Sequence, residues 1–348
     1  MPSKIRKTLT IGRNPITGLP IRKNFCGKTK KEVQEKIDRY KIEMATGHKQ
    51  DCEIMTFDTW ADRWLEVYKE GSVAEKTYKD YALAIRHLNE YFEKLPLNAI
   101  TPVMLRNFFK SKSHLSQSMV DKLRVTANAI FETAVDNDMC LKNPFRNLGS
   151  LKGVPTPEKR HYTKEQAALV SAFAQEHSQG LGVYIILNSG LRRGELMGLT
   201  PKDIDLKNGR LHMCRTVTDD GKVKDHGKSK SASRVIPLAP SVVAYLKSRP
   251  ELHGKEALFH GRSKPFLVPS DWVRYRYTLF TKDLHTAYPD LPILTPHELR
   301  HTYGTLLYEN GTDLLALKSI MGHSSIEITA KTYIHTSAET LEKKIKWG

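Results

Sequence analysis

Residues 295–302 read TPHELRHT, and here side chains capable of chemistry crowd together. The stretch looks like a helix start: Thr295 suits the cap, Pro296 the first helical position, and Glu298 the positive end of the dipole. His297 and Arg300 are three residues apart and so share a face. An imidazole beside a guanidinium suits a phosphate, because the planar fork binds two oxygens and the ring donates or exchanges a proton. An ordinary amphipathic helix shows the same pair on its wet face, so the neighbours have to decide. In GLRRGEL (190–196), Arg192 and Glu195 are again three apart, so the carboxylate can hold the guanidinium while its fork faces outward. Such pairs are common on surfaces and usually worth little. Lys228 and Lys230 fall in a loop at 227–233, where a long cation reaches a cleft or merely solvates a turn. His323 stands between two helices and Tyr333 follows ten residues later; a lone tyrosine is normally structural.

The elements that must position these groups follow from periodicity. Thr163 and Gln166 form a capping box that opens a mostly helical domain, and an apolar helix at 183–187 leads into the arginine pair. Residues 204–238 change character: Asn208-Gly209 signals a hairpin, 211–217 alternates, and 234–238 reads as a last strand after a loop at 225–232. Three short strands are therefore expected, followed by helices near 241–249, 270–285, 296–309, 313–321 and 326–332. Leu306, Leu307 and Tyr308 would anchor the helix that begins at Thr295. Upstream, 143–157 holds Pro, Gly and Ser without periodicity and reads as a boundary.

Residues 56–137 are helical throughout, with faces marked by Phe57, Trp60 and Trp64, by Tyr81, Ile85 and Leu88, by Leu105 and Phe108, and by Val120, Leu123 and Ile130. At that spacing the aromatics belong to a core rather than to a platform for bases. Lys76, Lys79, Arg106, Lys110, Lys112 and Lys122 are candidates for touching phosphates. At the N-terminus, β-like runs at 5–12 and 19–26 flank a turn at 14–18, and Thr29 and Glu32 cap a helix carrying Val33, Ile37 and Tyr40. The expected architecture is multidomain and mainly α. It comprises a small N-terminal three-stranded sheet plus helix, a four-helix bundle, and a mostly helical C-terminal domain with a small antiparallel sheet, at 1–50, 54–145 and 158–348.

With 55 basic and 38 acidic residues among 348, the chain carries +17, which points to a polyanionic partner. Residues 1–50 hold 13 Lys/Arg and 4 Asp/Glu, so this short segment contributes +9. No apolar run approaches membrane-spanning length, no basic amphipathic helix suits a membrane surface, and no signal-peptide pattern is visible. Cys26, Cys52, Cys140 and Cys214 lack metal or disulfide spacing, which fits a reducing cytoplasm. No carboxylate cluster that would hold magnesium and no P-loop is evident.

Taken together, GLRRGEL, KSKSASRVIPL, TPHELRHTYGTLL and MGHSSIEITAKTYIH, in that order and spacing, resemble the tyrosine recombinase (phage integrase) family over the whole chain, in particular integrases of conjugative transposons and temperate phages. Met321 stands where the family commonly has leucine, a volume-conserving change. The resemblance implies a catalytic set of Arg192, Lys228, His297, Arg300, His323 and Tyr333, with Lys230 competing for the lysine's role. It implies a metal-free site-specific recombinase that cuts DNA through a 3′-phosphotyrosyl link, integrating and excising a mobile element without cofactor. The three segments would be an arm-type DNA-binding domain, a core-binding domain and the catalytic domain. The implied partners are core-type and arm-type attachment sites, three further copies in a tetramer, an excisionase and a host DNA-bending protein. The implied compartment is the nucleoid-associated bacterial cytoplasm. A type IB topoisomerase would share the tyrosine chemistry but has no need of the basic N-terminal segment. A non-catalytic DNA-binding regulator has no need of Tyr333 and a cationic pocket.

Overall fold

The chain opens on two antiparallel strands, β1 (Ile5–Arg13) and β2 (Pro20–Gly27), paired from Ile5 opposite Gly27 to Arg13 opposite Pro20. The computed structural model describes residues 5–13, 20–46, 55–146, 148–155, 157, 160–225, 234–254, 256–261 and 265–333. Among these the N-terminal sheet has two strands, not the expected three, and its turn lies outside the described residues. Helix α1 (Lys30–Thr46) packs Val33 and Ile37 against Phe25, a small core in keeping with so short a segment. Its start is capped as expected, with Thr29 Oγ1 accepting from the Glu32 N–H and the Glu32 carboxylate accepting from the Lys28 N–H.

Chain contacts divide the protein into two units, Met1–Pro157 and Glu158–Gly348. In the first, helices α2 (Phe57–Lys69), α3 (Glu75–Phe92), α4 (Pro102–Ser111) and α5 (Gln117–Asp136) share one core. The aromatics fill it: Phe57, Trp60, Trp64, Phe92, Phe108 and Phe131 are all buried. The two indoles satisfy their N–H groups inside that core, Trp60 on Ile130 O at 3.0 Å and Trp64 on Thr133 Oγ1 at 2.9 Å. Three of the six cations singled out for phosphate contact form ion pairs, Lys79 with Glu75, Lys112 with Glu90 and Lys122 with Asp80.

In the second unit, α6 (Lys164–Glu176) starts at the expected capping box, and α7 (Leu181–Ser189) is apolar from Leu181 to Leu187, all of it buried. Among the described residues, the stretch from 204 to 238 yields five short strands in two sheets rather than three in one. β3 (Ile204–Asp205) and β4 (Arg210–Met213) flank Asn208-Gly209, whose glycine takes φ +63°, and β7 (Arg234–Pro237) completes the order β3-β4-β7. β5 (Arg215–Val217) pairs instead with β6 (Val223–Asp225), so the alternating run breaks at Cys214. Helices follow as α9 (Pro240–Lys247), a continuous helical stretch from α10 (Pro269–Asp271) through a π-helical segment to α11 (Thr278–Ala287), then α12 (Pro296–Glu309), α13 (Leu314–Met321) and α14 (Ile326–Tyr333). Among the described residues no helix is long and apolar enough to cross a membrane.

Candidate active site

Helix α12 starts as its sequence dictates: Thr295 Oγ1 accepts from the Glu298 N–H at 3.3 Å, and Glu298 Oε2 accepts from the Thr295 N–H at 2.7 Å. Leu306, Leu307 and Tyr308 pack against apolar cores as expected, though half-buried, whereas the fully buried residues are Leu299, Arg300, His301, Thr302, Gly304 and Thr305. Small and polar residues line this face because α12 packs closely against α7 and α14. Arg300 therefore lies inside the protein, 3% exposed, rather than reaching out beside the exposed His297.

A buried guanidinium needs acceptors, and two helix ends supply them. Helix α7 stops at Gly190, φ +64°, where a β-carbon would lie 2.4 Å from the Tyr303 ring, so only glycine fits. Its carbonyl takes Arg300 Nη1. Helix α13 closes in a Schellman motif at Gly322, φ +63°: the His323 N–H reaches back to Lys318 O at 3.1 Å and the Gly322 N–H to Ser319 O at 3.2 Å. That leaves three carbonyls in a row, and each takes one arginine. Ile320 O accepts Arg234 Nε at 2.8 Å, Met321 O accepts Arg300 Nη2, and Gly322 O accepts Arg192 Nη2 at 2.9 Å. Cations at a helix C-terminus also meet the negative end of its dipole.

The second anchor of the cluster is Glu195. In α8 (Arg193–Met197) its carboxylate caps the Arg192 N–H at 2.7 Å and holds Arg192 Nη1 at 2.8 Å, the hold its spacing suggested. It also receives both Nη groups of Arg234, at 2.9 and 2.8 Å, with Arg300 at 3.8 Å. Burial alone would push this carboxyl up, but Arg234, Arg192 and Arg300 hold it down at about 2. Burial and the neighbouring Arg192 draw Arg300 down to about 10, which still leaves it charged at neutral pH.

Tyr333 ends α14 with its ring buried, stacked on His301 at 5.3 Å and parallel to His323 at 5.9 Å, only 6° apart. Burial raises its phenol to about 12 although Arg300 and Arg192 pull the other way. His323 is oriented by Thr329, whose Oγ1 lies 3.0 Å from its Nδ1. Arg192, His297, Arg300, His323 and Tyr333 thus line one cleft of about 200 Å³, together with His301, Ile328 and Thr332. Lys228 and Lys230 lie outside the described residues. Sequence reasoning missed Arg234, His301 and Gly304. One signal was available for Arg234: it shares the inward side of β7 with buried Ile236, an odd place for a guanidinium without a partner.

Two family models match the chain, "Phage integrase family" over residues 161–340 and "Phage integrase, N-terminal SAM-like domain" over 56–113. The first covers more than half of the chain, which belongs to the phage integrase family. It is a tyrosine recombinase, an enzyme that cuts and rejoins DNA in site-specific recombination. A tyrosine recombinase XerC-like protein of Caldanaerobacter subterraneus subsp. tengcongensis is 27% identical over 95% of this chain and 92% of its own. The ICEBs1 integrase of Bacillus subtilis is 25% identical over 94% and 92%. Among solved structures, the Tn1549 transposon integrase in complex with circular intermediate DNA aligns with a TM-score of 0.69 and 23% identity, over 83% of this chain and 98% of that one. A lambda integrase tetramer bound to a Holliday junction aligns at 0.61 and 18%, over 96% and 93%. These last two likenesses concern the fold.

Proposed function

We propose that Tyr333 is the nucleophile of this recombinase and that Arg192, His297, Arg300, His323 and Lys228 form the rest of its catalytic set, with Lys230 as the rival lysine. The observation that carries this reading is the convergence of two guanidiniums, three imidazoles and one phenol on a single cleft. The Tyr333 oxygen attacks the scissile phosphorus while the bond from phosphorus to the 5′ oxygen breaks. Charge that builds on the non-bridging oxygens meets the forks of Arg192 and Arg300, with His323 as a further donor. A phenol held at about 12 does not ionise unaided at neutral pH, so His297 takes its proton. The leaving 5′ oxygen receives a proton from the loop lysine. The product is a 3′-phosphotyrosyl link and a 5′ hydroxyl, and attack by another 5′ hydroxyl reverses the step. The phosphotyrosyl link conserves the bond energy, so rejoining needs no ATP.

Along the chain we assign an arm-type DNA-binding domain at 1–50, whose charge of +9 suits a second contact, a four-helix core-binding bundle at 54–145 and a catalytic domain at 158–348. Four copies acting on two duplexes, an excisionase and a host DNA-bending protein complete the reading, in the nucleoid-associated cytoplasm of a bacterium. Tyr333→Phe tests it, because only the hydroxyl is lost: the variant should bind attachment-site DNA yet form no covalent adduct on a nicked suicide duplex. Adduct formation by that variant would remove the assignment. In a footprint the same variant should protect two classes of sequence, and protection of core sites alone would remove the arm domain from the reading.

A further inference from the structure

Arg234 has no part in the chemistry above, yet it sits at the centre of the arginine cluster. Its side chain is 8% exposed and all three of its nitrogens are engaged: Nη1 and Nη2 on the two oxygens of Glu195, at 2.9 and 2.8 Å, and Nε on Ile320 O at 2.8 Å. The other two arginines hold the same carboxylate less completely. The Arg192 guanidinium reaches one oxygen through a single nitrogen at 2.8 Å, and Arg300 stays 3.8 Å away, beyond hydrogen-bond distance.

We infer that Arg234 is a positioning residue that saturates Glu195, so that the carboxylate orients Arg192 and Arg300 without capturing them. The inference rests on the reading of those two arginines as the phosphate clamp. A buried carboxylate recruits whatever donors it can reach, because leaving it unpaired is costly. With Arg234 absent, the nearest charged donors are Arg300 Nη1, at 3.8 Å, and the remaining reach of Arg192. Closing either gap converts a clamp for substrate into an internal ion pair. Charge changes as well. Three arginines around one carboxylate leave a net +2 to face a phosphate, and removing Arg234 halves it. Arg234 thus controls both the direction and the strength of the clamp while standing behind it.

The test is an interaction between two substitutions. Adduct formation is timed on a nicked suicide duplex carrying the junction of the two ends of the gene's own mobile element. Arg234→Ala should slow it by about 100-fold with DNA affinity nearly unchanged, and Glu195→Gln alone should also be slow, since its arginines lose their common anchor. The double variant Arg234→Ala/Glu195→Gln should be faster than Arg234→Ala by about tenfold, because a neutral amide captures no guanidinium and the pocket returns to +2. A residue that merely supports the fold gives a double variant slower than either single one. That outcome, or near-normal cleavage by Arg234→Ala, overturns the inference. If Arg234→Ala does not fold, Arg234→Gln, with and without Glu195→Gln, reads the same quantity with the same charges. Failure of the underlying reading looks different: Arg192→Lys and Arg300→Lys would then cleave normally, whatever stands at position 234.

Discussion

Gly304 lies directly against the ring of Tyr333: a β-carbon at this position would be 2.4 Å from the ring's Cζ and 2.5 Å from the hydroxyl oxygen. The ring cannot slide aside cheaply, since His301 and His323 both stack on it. Helix α14 therefore seats its tyrosine on α12 only because position 304 has no side chain. A glycine inside a helix costs about 1 kcal/mol against alanine, so α12 gives up some local stability to hold this slot open.

Gly304→Ala should accordingly lift Tyr333 from its seat while leaving α12 helical. Amide hydrogen exchange over 326–333 is the measurement, with protection expected to fall by about tenfold or more. Unchanged exchange in that segment would mean that the slot does not hold the helix.

The two clamp arginines should fail in different ways. Arg192, with 45% of its side chain exposed, can become lysine with little effect on stability, but an ammonium cannot reproduce the fork and cleavage should be severely slowed. Arg300→Lys should lose both, because the Gly190 and Met321 carbonyls lose donors inside the protein, at a cost of about 1–3 kcal/mol. Urea denaturation beside the adduct assay separates them. Near-normal cleavage by either variant, or equal stability losses in both, would contradict this division.

Glu195 should govern part of the acid sensitivity. Its carboxyl is held at about 2 against an ordinary 4.5, so the native state favours the charged form. A depressed folded value means stabilisation that is complete above the unfolded value and is lost as pH falls from 4.5 toward 2. The size is on the order of 3 kcal/mol. Stability measured against pH for the native chain and Glu195→Gln should show a gap that closes over that interval. A gap independent of pH would show that the charge is not what matters.

The loop lysine is identified by its leaving group. A 5′-phosphorothiolate departs without a proton, so that substrate should restore cleavage to whichever of Lys228→Ala or Lys230→Ala removes the general acid. Restoration of neither would take the role from both residues.

What the sequence determined by itself is what short-range physics encodes. The Thr163–Gln166 capping box, the helix start at Thr295-Pro296, the Asn208-Gly209 turn and the helical periods of 57–136 depend on neighbours a few residues apart, and each could be read without the fold. Even there the reading stopped where tertiary contacts took over: the alternating run at 211–217 divides at Cys214 because its two halves find different partners, β7 and β6. The burial of Arg300, the saturation of Glu195 by Arg234 and the seat made by Gly304 belong to the tertiary structure alone. Arg300 looks like an outward-facing group on α12 until α7, ending 110 residues earlier, brings the Gly190 carbonyl to its Nη1. Charge and spacing say which groups are able to pair, but which carbonyls and which carboxylate arrive beside them is decided when helices distant in sequence pack together.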